Sequence, residues 1–178
     1  METTEKIVEA YCRYVRGWFT LPNLRCPGQM EVDLLAIDVS KKGRLNRYHI
    51  ECGVSVSGAY SKLTAKPFSL DRLRTRGTAA GARRTIDFFI QRKFDPSPVA
   101  EVLLRYGFTP GNYEKVIASW GWTKDAAAIA EQHQIVLWDF PTILHEIADS
   151  VRIGRTYFTD DTLRTLHLFA MAGAVKPQ

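Results

Sequence analysis

GQMEVDLLAIDVSKKGRLNRYHIECGV, residues 28–54, reads as two strands joined by a turn. Glu31 to Val39 makes the first strand, Lys41-Lys42-Gly43-Arg44 the polar tip, and Arg47 to Val56 the second strand. In the second strand Tyr48, Ile50, Cys52, Val54 and Val56 are apolar or core-like and alternate with Arg47, His49, Glu51, Gly53 and Ser55. That period of two belongs to a strand with one buried face. Both strands carry acid among their apolar residues. Parity puts Glu31 and Asp33 on one face of the first, and His49, Glu51 and Gly53 on one face of the second. Leu35, Ile37 and Val39 continue the Glu31–Asp33 face, so the acids stand at the edge of a buried surface. A carboxylate there is costly without a partner.

A short hairpin makes the two strands neighbours, which predicts that Asp33 and Glu51 approach within ~6 Å. Two carboxylates that close repel, so one takes a proton or both share a cation. A hard divalent ion such as Mg2+ suits such a pair and keeps waters for a substrate phosphate. Taken singly, each acid reads as part of a solvated strand face. The joint pattern is what points to a site.

The rest of the chain supplies the frame. Its 178 residues are enough for one domain with a substantial core. Hydrophobic content of 46% and charged content of 24% are ordinary for a soluble protein. A net charge of +5 permits an anionic partner without requiring one. Cys12, Cys26 and Cys52 have neither the spacing of a zinc site nor the number of a disulfide framework, which predicts reduced thiols and a cytoplasmic protein. The first residues are polar and amphipathic rather than signal-like, and no apolar run is long enough for a membrane span.

Residues 4–19 read as a helix with an apolar stripe of Ile7, Tyr11, Tyr14, Val15 and Trp18. Residues 21–28, with two prolines, read as a loop, residues 59–66 as a short helix ending before Pro67, and residues 98–106 as another helix. Residues 116–120 and 135–138 are apolar strands. Between them Thr123 is placed to cap a helix over 124–132. Pro141 opens a further helix with Ile143, Leu144, Ile147 and Val151 on one side. Strand, helix, strand, helix implies crossovers onto a buried sheet. The prediction is a single α/β domain over residues 1–178, a central mixed sheet flanked by helices, with 153–178 as a C-terminal helical extension.

The run Glu31-Val-Asp33-Leu-Leu-Ala, the turn, and Tyr48-His-Ile-Glu51-Cys resemble the PD-(D/E)XK nuclease superfamily, the restriction-endonuclease-like fold. VIASWGWTKDAAAIAEQHQIVLWDFPTIL is similar to the closing strand–helix–strand–helix of its Mrr-like branch. The resemblance implies a magnesium- or manganese-dependent endonuclease acting on DNA. Asp33 and Glu51 would be the metal ligands, Glu31 an auxiliary acid, and Glu9 the acid that some members carry on the first helix. The chain departs from the pattern at Gly53, where the family has lysine. Either the site is inactive and the domain is a nucleic-acid or protein-binding module, or a lysine reaches in from another element. Lys62 is the expected replacement, ahead of Lys66. By wheel count, Glu9 falls opposite the apolar stripe of its helix.

Further readings concern partners. The basic stretch from Arg72 to Lys93, with Arg72, Arg74, Arg76, Arg83 and Arg84, could track a phosphate backbone or be a solvated charged face. His49 is the one histidine near the acids; it could contact a phosphate, and a hydrogen bond to a neighbour is its commoner role. A helix over 160–172, with Leu163, Leu166, Phe169 and Ala170, suits a partner or a two-fold dimer.

Overall fold

A five-stranded mixed sheet in the order β1-β2-β3-β4-β5 organises the chain. The computed structural model describes residues 2–42, 46–54, 62–74, 79–153 and 158–173. β1 (Phe19–Cys26), β2 (Met30–Ile37) and β3 (Arg47–Cys52) form an antiparallel meander. β4 (Tyr113–Ser119) and β5 (Ile135–Asp139) extend it in parallel. Parallel neighbours need a crossover, and between β4 and β5 the helix α6 (Lys124–Gln132) supplies it. Thr123 caps that helix as its sequence predicts, its Oγ1 accepting the Ala126 N–H at 3.3 Å.

Side-chain parity assigns the helices to two layers. Even-numbered residues of the inner strands (Leu34, Ala36, Tyr48, Ile50, Val116 and Ala118) face one core. α1 (Thr3–Ala10), α7 (Phe140–Ile153) and α8 (Asp161–Ala172) cover it with Ile7, Val8, Ile143, Ile147, Val151 and Leu163. Odd-numbered residues face the other layer. There Ile117 and Ile135 meet α4 (Ile86–Phe89) and α6, while Leu35 meets α5 (Ser97–Arg105) through Val99, Val102 and Leu103. Two further short helices, α2 (Leu70–Arg74) and α3 (Ala79–Ala82), lie in the long β3–β4 connection.

Several local expectations are corrected. Residues 19–26 are a strand, not a loop. Pro22 is tolerated because β1 is an edge strand, where one ladder N–H is dispensable. The first helix ends earlier than its stripe predicts. α1 passes into a π-helical turn, Tyr11–Val15, closed by the Arg16 N–H donating to the Tyr11 carbonyl at 3.0 Å. Gly17, at φ +70°, then turns the chain into β1. Residues 62–66 are extended, not helical; Leu63 bridges to Trp122 and Thr64 to Thr85. The rest of the helix expected over 59–66 lies outside the described residues, as do Gly43 and Arg44 of the expected tip and Ser55 and Val56 of the expected second strand. The first strand stops at Ile37, and Val39 is exposed.

α8 docks on this fold rather than standing apart. Leu163 and Ala170 are buried, Asp160 caps the helix through the Thr162 and Leu163 N–H groups, and Lys6 pairs with Asp160 at 3.2 Å. Leu168 and Phe169 remain exposed. Among the described residues no helix is long and apolar enough to cross a membrane.

Central and edge positions should therefore differ in cost. Ile50→Ala, at the fully covered centre of β3, is expected to lower stability by about 3 kcal/mol, as cavity-forming truncations do. Val136→Ala, 41% exposed on the edge strand β5, should cost less than half as much. Urea unfolding of the two variants checks the order.

Candidate functional site

The sheet ladder breaks where the acids stand. β2 and β3 pair from Ile37↔Arg47 to Leu34↔Ile50 and no further. On the other side, β1–β2 pairing skips Asn23 and Asp33, and Asn23 adopts φ +53°. Val32 and Leu35 share one core cluster, which strict alternation does not allow, so the pleat slips at Asp33.

Carboxylates take over the backbone groups that the ladder leaves. The Cys52 N–H donates to Asp33 Oδ2 at 2.8 Å, and the Asp33 N–H to Glu51 Oε1 at 3.4 Å. Asp33 is 5% exposed and Glu51 is fully buried.

The cation between them is Lys93. Its Nζ lies 2.7 Å from Asp33 Oδ1 and 2.7 Å from Glu51 Oε2, so these oxygens are no more than twice that distance apart. The expected approach of Asp33 and Glu51 is therefore met. Nζ also donates to the Glu31 carbonyl at 3.3 Å. Lys93 belongs to a second π-helical turn, Ile90–Phe94, that continues α4 and is closed by the Asp95 N–H donating to the Ile90 carbonyl at 3.0 Å. Ile86, Phe89, Ile90 and Phe94 bury the helix against the sheet, and Lys93 shares their side.

Lys62, expected in this role, is not there: it is exposed, with its stem beside Gly121. Nor does Gly53 leave open space. A Cβ on it would stand 3.1 Å from the Phe89 ring and 3.5 Å from the Ala118 carbonyl.

Glu51 has one oxygen committed and one presented. Oε1 lies 2.7 Å from His49 Nε2, and both side chains are fully buried. Oε2 is within ion-pair distance of Lys93 but off hydrogen-bond alignment, and no other described group bonds it.

Burial raises the proton affinity of Asp33, the Glu51 charge raises it further, and Lys93 opposes both. Glu51 is also raised by burial, against Lys93. For Lys93, burial works against the charged form, but the Glu51 and Asp33 charges outweigh it and hold the ammonium protonated above the ordinary lysine range. Burial pushes His49 down to about 3, so its ring is neutral.

Asp33 and Lys93 open onto a cleft of about 670 Å³, which neither Glu51 nor His49 lines. Glu2, Glu5, Glu31 and Asp33 line it together with Arg83, Arg84, Arg92 and Lys93. The first-helix acid in the cleft is Glu5, not Glu9. The Glu5 carboxylate accepts the Glu2 N–H at 2.8 Å, and burial followed by the Asp33 charge raises its proton affinity. Glu9 instead accepts from Thr20 Oγ1 at 3.0 Å and faces Arg13, away from the cleft.

Of the predicted backbone contacts, Arg83 and Arg84 line the cleft and Arg74 does not. Arg76 lies outside the described residues, and the side chain of Arg72 is not among those described. Sequence reasoning missed Glu5 as a site residue, and took Arg92 and Lys93 only as the end of the basic stretch, not Lys93 as the partner of the acids. The available signal for Lys93 was a lysine seven residues after Ile86 on an otherwise apolar helix side. Compared with protein-family models, curated proteins and solved structures, the chain gives no significant match.

Two predictions follow the charge balance. Lys93→Met strands two buried acids and should cost about 3–5 kcal/mol near neutral pH, and less in acid, where protons replace the ammonium. Asp33 titrates higher when folded than when unfolded, so its contribution is fully present below the ordinary aspartate range and is lost as pH rises to about 7. Asp33→Asn should therefore lose less stability than wild type between about pH 4 and 7 in matched urea melts.

Proposed function

We propose that the chain is a metal-dependent nuclease of the PD-(D/E)XK type that hydrolyses DNA phosphodiesters, with its lysine carried by the helix after the acid strands. The convergence of one ammonium on two buried carboxylates, at the open end of β2 and β3, carries this reading. The meander followed by parallel strands, and the cleft with its arginines, support it.

The acids fit a hard divalent cation. Lys93 already marks a point from which one positive charge reaches both, and Glu51 Oε2 is a buried oxygen with no aligned donor among the described residues. Asp33 and Glu51 would hold Mg2+ or Mn2+, which when bound supplies activation of water and neutralisation of phosphate charge.

The chain's own groups do the rest. The Lys93 ammonium gives positive charge to a phosphate lying against the acid pair. Arg83, Arg84 and Arg92 hold neighbouring phosphates in place. Glu5, with its raised proton affinity, can exchange a proton within the cleft. Glu31 is exposed at the cleft mouth, where it serves as an auxiliary acid. A cytoplasmic protein that meets DNA fits the free Cys12, Cys26 and Cys52. The exposed Leu168 and Phe169 of α8 suit a two-fold contact between copies.

The same Lys93 bridge favours a second reading, a binding module without catalysis, in which the lysine is a permanent counter-ion. Plasmid and single-stranded DNA incubated with Mg2+ or Mn2+ separate the two. The nuclease reading expects cleavage by wild type and by Lys62→Ala. It expects Asp33→Ala and Lys93→Ala to fall at least about 100-fold, the scale of losing one charge that stabilises the transition state. DNA binding without cleavage in any metal supports the module. For either reading, Arg83→Ala with Arg84→Ala should flatten the slope of log affinity against log salt by about one unit per lost phosphate contact. An unchanged slope removes those arginines from the interface.

A further inference from the structure

We propose that His49 is the positioning residue of the site: its Nε2–H pins Glu51 Oε1, so that Oε2 alone is offered to a cation. The inference rests on the nuclease reading for what that cation does, and on the geometry for the rest.

A free carboxylate presents two equivalent oxygens and turns about its last bond. At Glu51 they are made different. Oε1 sits 2.7 Å from His49 Nε2 and also takes the Asp33 N–H at 3.4 Å. Oε2, on the other side, faces Lys93 at 2.7 Å without another described partner.

The imidazole is itself held. It is fully buried, two residues along β3 from Glu51. Its ring stands edge-on to Phe94 at 4.9 Å and 77° and lies 6.3 Å from the Tyr113 ring. Phe94 directly follows Lys93, so the π-helical turn that delivers the ammonium also packs the histidine.

The hydrogen bond fixes the tautomer by its chemistry. With Glu51 ionised, its carboxylate only accepts, so the bridging proton is on Nε2 and Nδ1 carries the lone pair. Nδ1 has no described hydrogen-bond partner. Burying an imidazole with one nitrogen unsatisfied costs stability, and the Glu51 contact is the one polar bond the ring makes among the described residues. Partners of this kind, which bind a ligand's second atom, typically change metal affinity about 10–100-fold when removed.

The test uses the full chain. Nitrogen-15 imidazole spectra of the metal-free protein should place the His49 proton on Nε2; a proton on Nδ1 would overturn the inference even if no variant folds. Mn2+ titrations, read as a rise in melting temperature, should show an affinity loss of about tenfold or more in His49→Leu. His49→Gln, which keeps an N–H donor, should stay within about threefold of wild type. Equal loss in both variants would make His49 a packing residue, and no loss in His49→Leu would remove its role altogether.

A wild type with the Nε2 proton but no Mn2+ response sinks the metal reading alone. Positioning is then read on the Lys93 ammonium nitrogen signal. That signal should be protected from exchange in wild type and His49→Gln and lost in His49→Leu. Its survival in His49→Leu overturns the inference.

Discussion

One ammonium between two buried carboxylates is the constraint on which the site's architecture depends. Neither acid could remain ionised alone at such depth, and side by side they would be worse. Lys93 makes the pair tolerable, but one positive charge does not balance two negative ones. The remainder is met by a proton or by another cation. That imbalance separates this cluster from an ordinary buried ion pair. A closed pair is electrically satisfied, whereas this one retains a carboxylate oxygen with no aligned donor among the described residues, and its Asp33 and Lys93 line a cleft.

The surrounding structure serves that arrangement. The ladder between β2 and β3 ends one residue before the acids, and each freed N–H finds a carboxylate oxygen instead of a carbonyl. The acids thus replace part of the sheet's hydrogen bonding. Removing either one would disturb the backbone as well as the charge. On the helix side, a π-helical turn widens the backbone at the point where Lys93 enters, a distortion often found at functional positions.

Much of the frame was legible in the sequence, because periodicity is a local property. The hairpin, the two apolar strands and Thr123 as a cap all follow from short-range patterns. The approach of Asp33 and Glu51 was legible because a short turn sets a register that puts the two positions opposite each other, even though the pleat slips at Asp33. What was not legible depended on tertiary context. β1 was hidden by Pro22, which only its position at the sheet edge makes acceptable. The choice of Glu5 over Glu9 depends on how α1 lies against its neighbours, with Glu9 turned to Thr20 of β1 and Glu5 to the cleft. Lys93 lies 42 positions beyond Glu51, and no local pattern carries a contact across the β3–β4 connection.

The identity of the lysine shows how an empty position and a filled one are coupled. Gly53 looks in sequence like a missing side chain, and a missing side chain suggests open space. The Phe89 ring occupies that space instead, 3.1 Å from where a Cβ would be. Phe89 anchors its helix to the sheet, and four residues later the same side of the helix presents Lys93. Glycine on the strand therefore permits the helix to approach, and the approach delivers the charge. Any side chain at Gly53 would press on the ring that anchors this helix, and the ring would have to give by a few tenths of an ångström. The departure at Gly53 and the placement of Lys93 are therefore linked through Phe89.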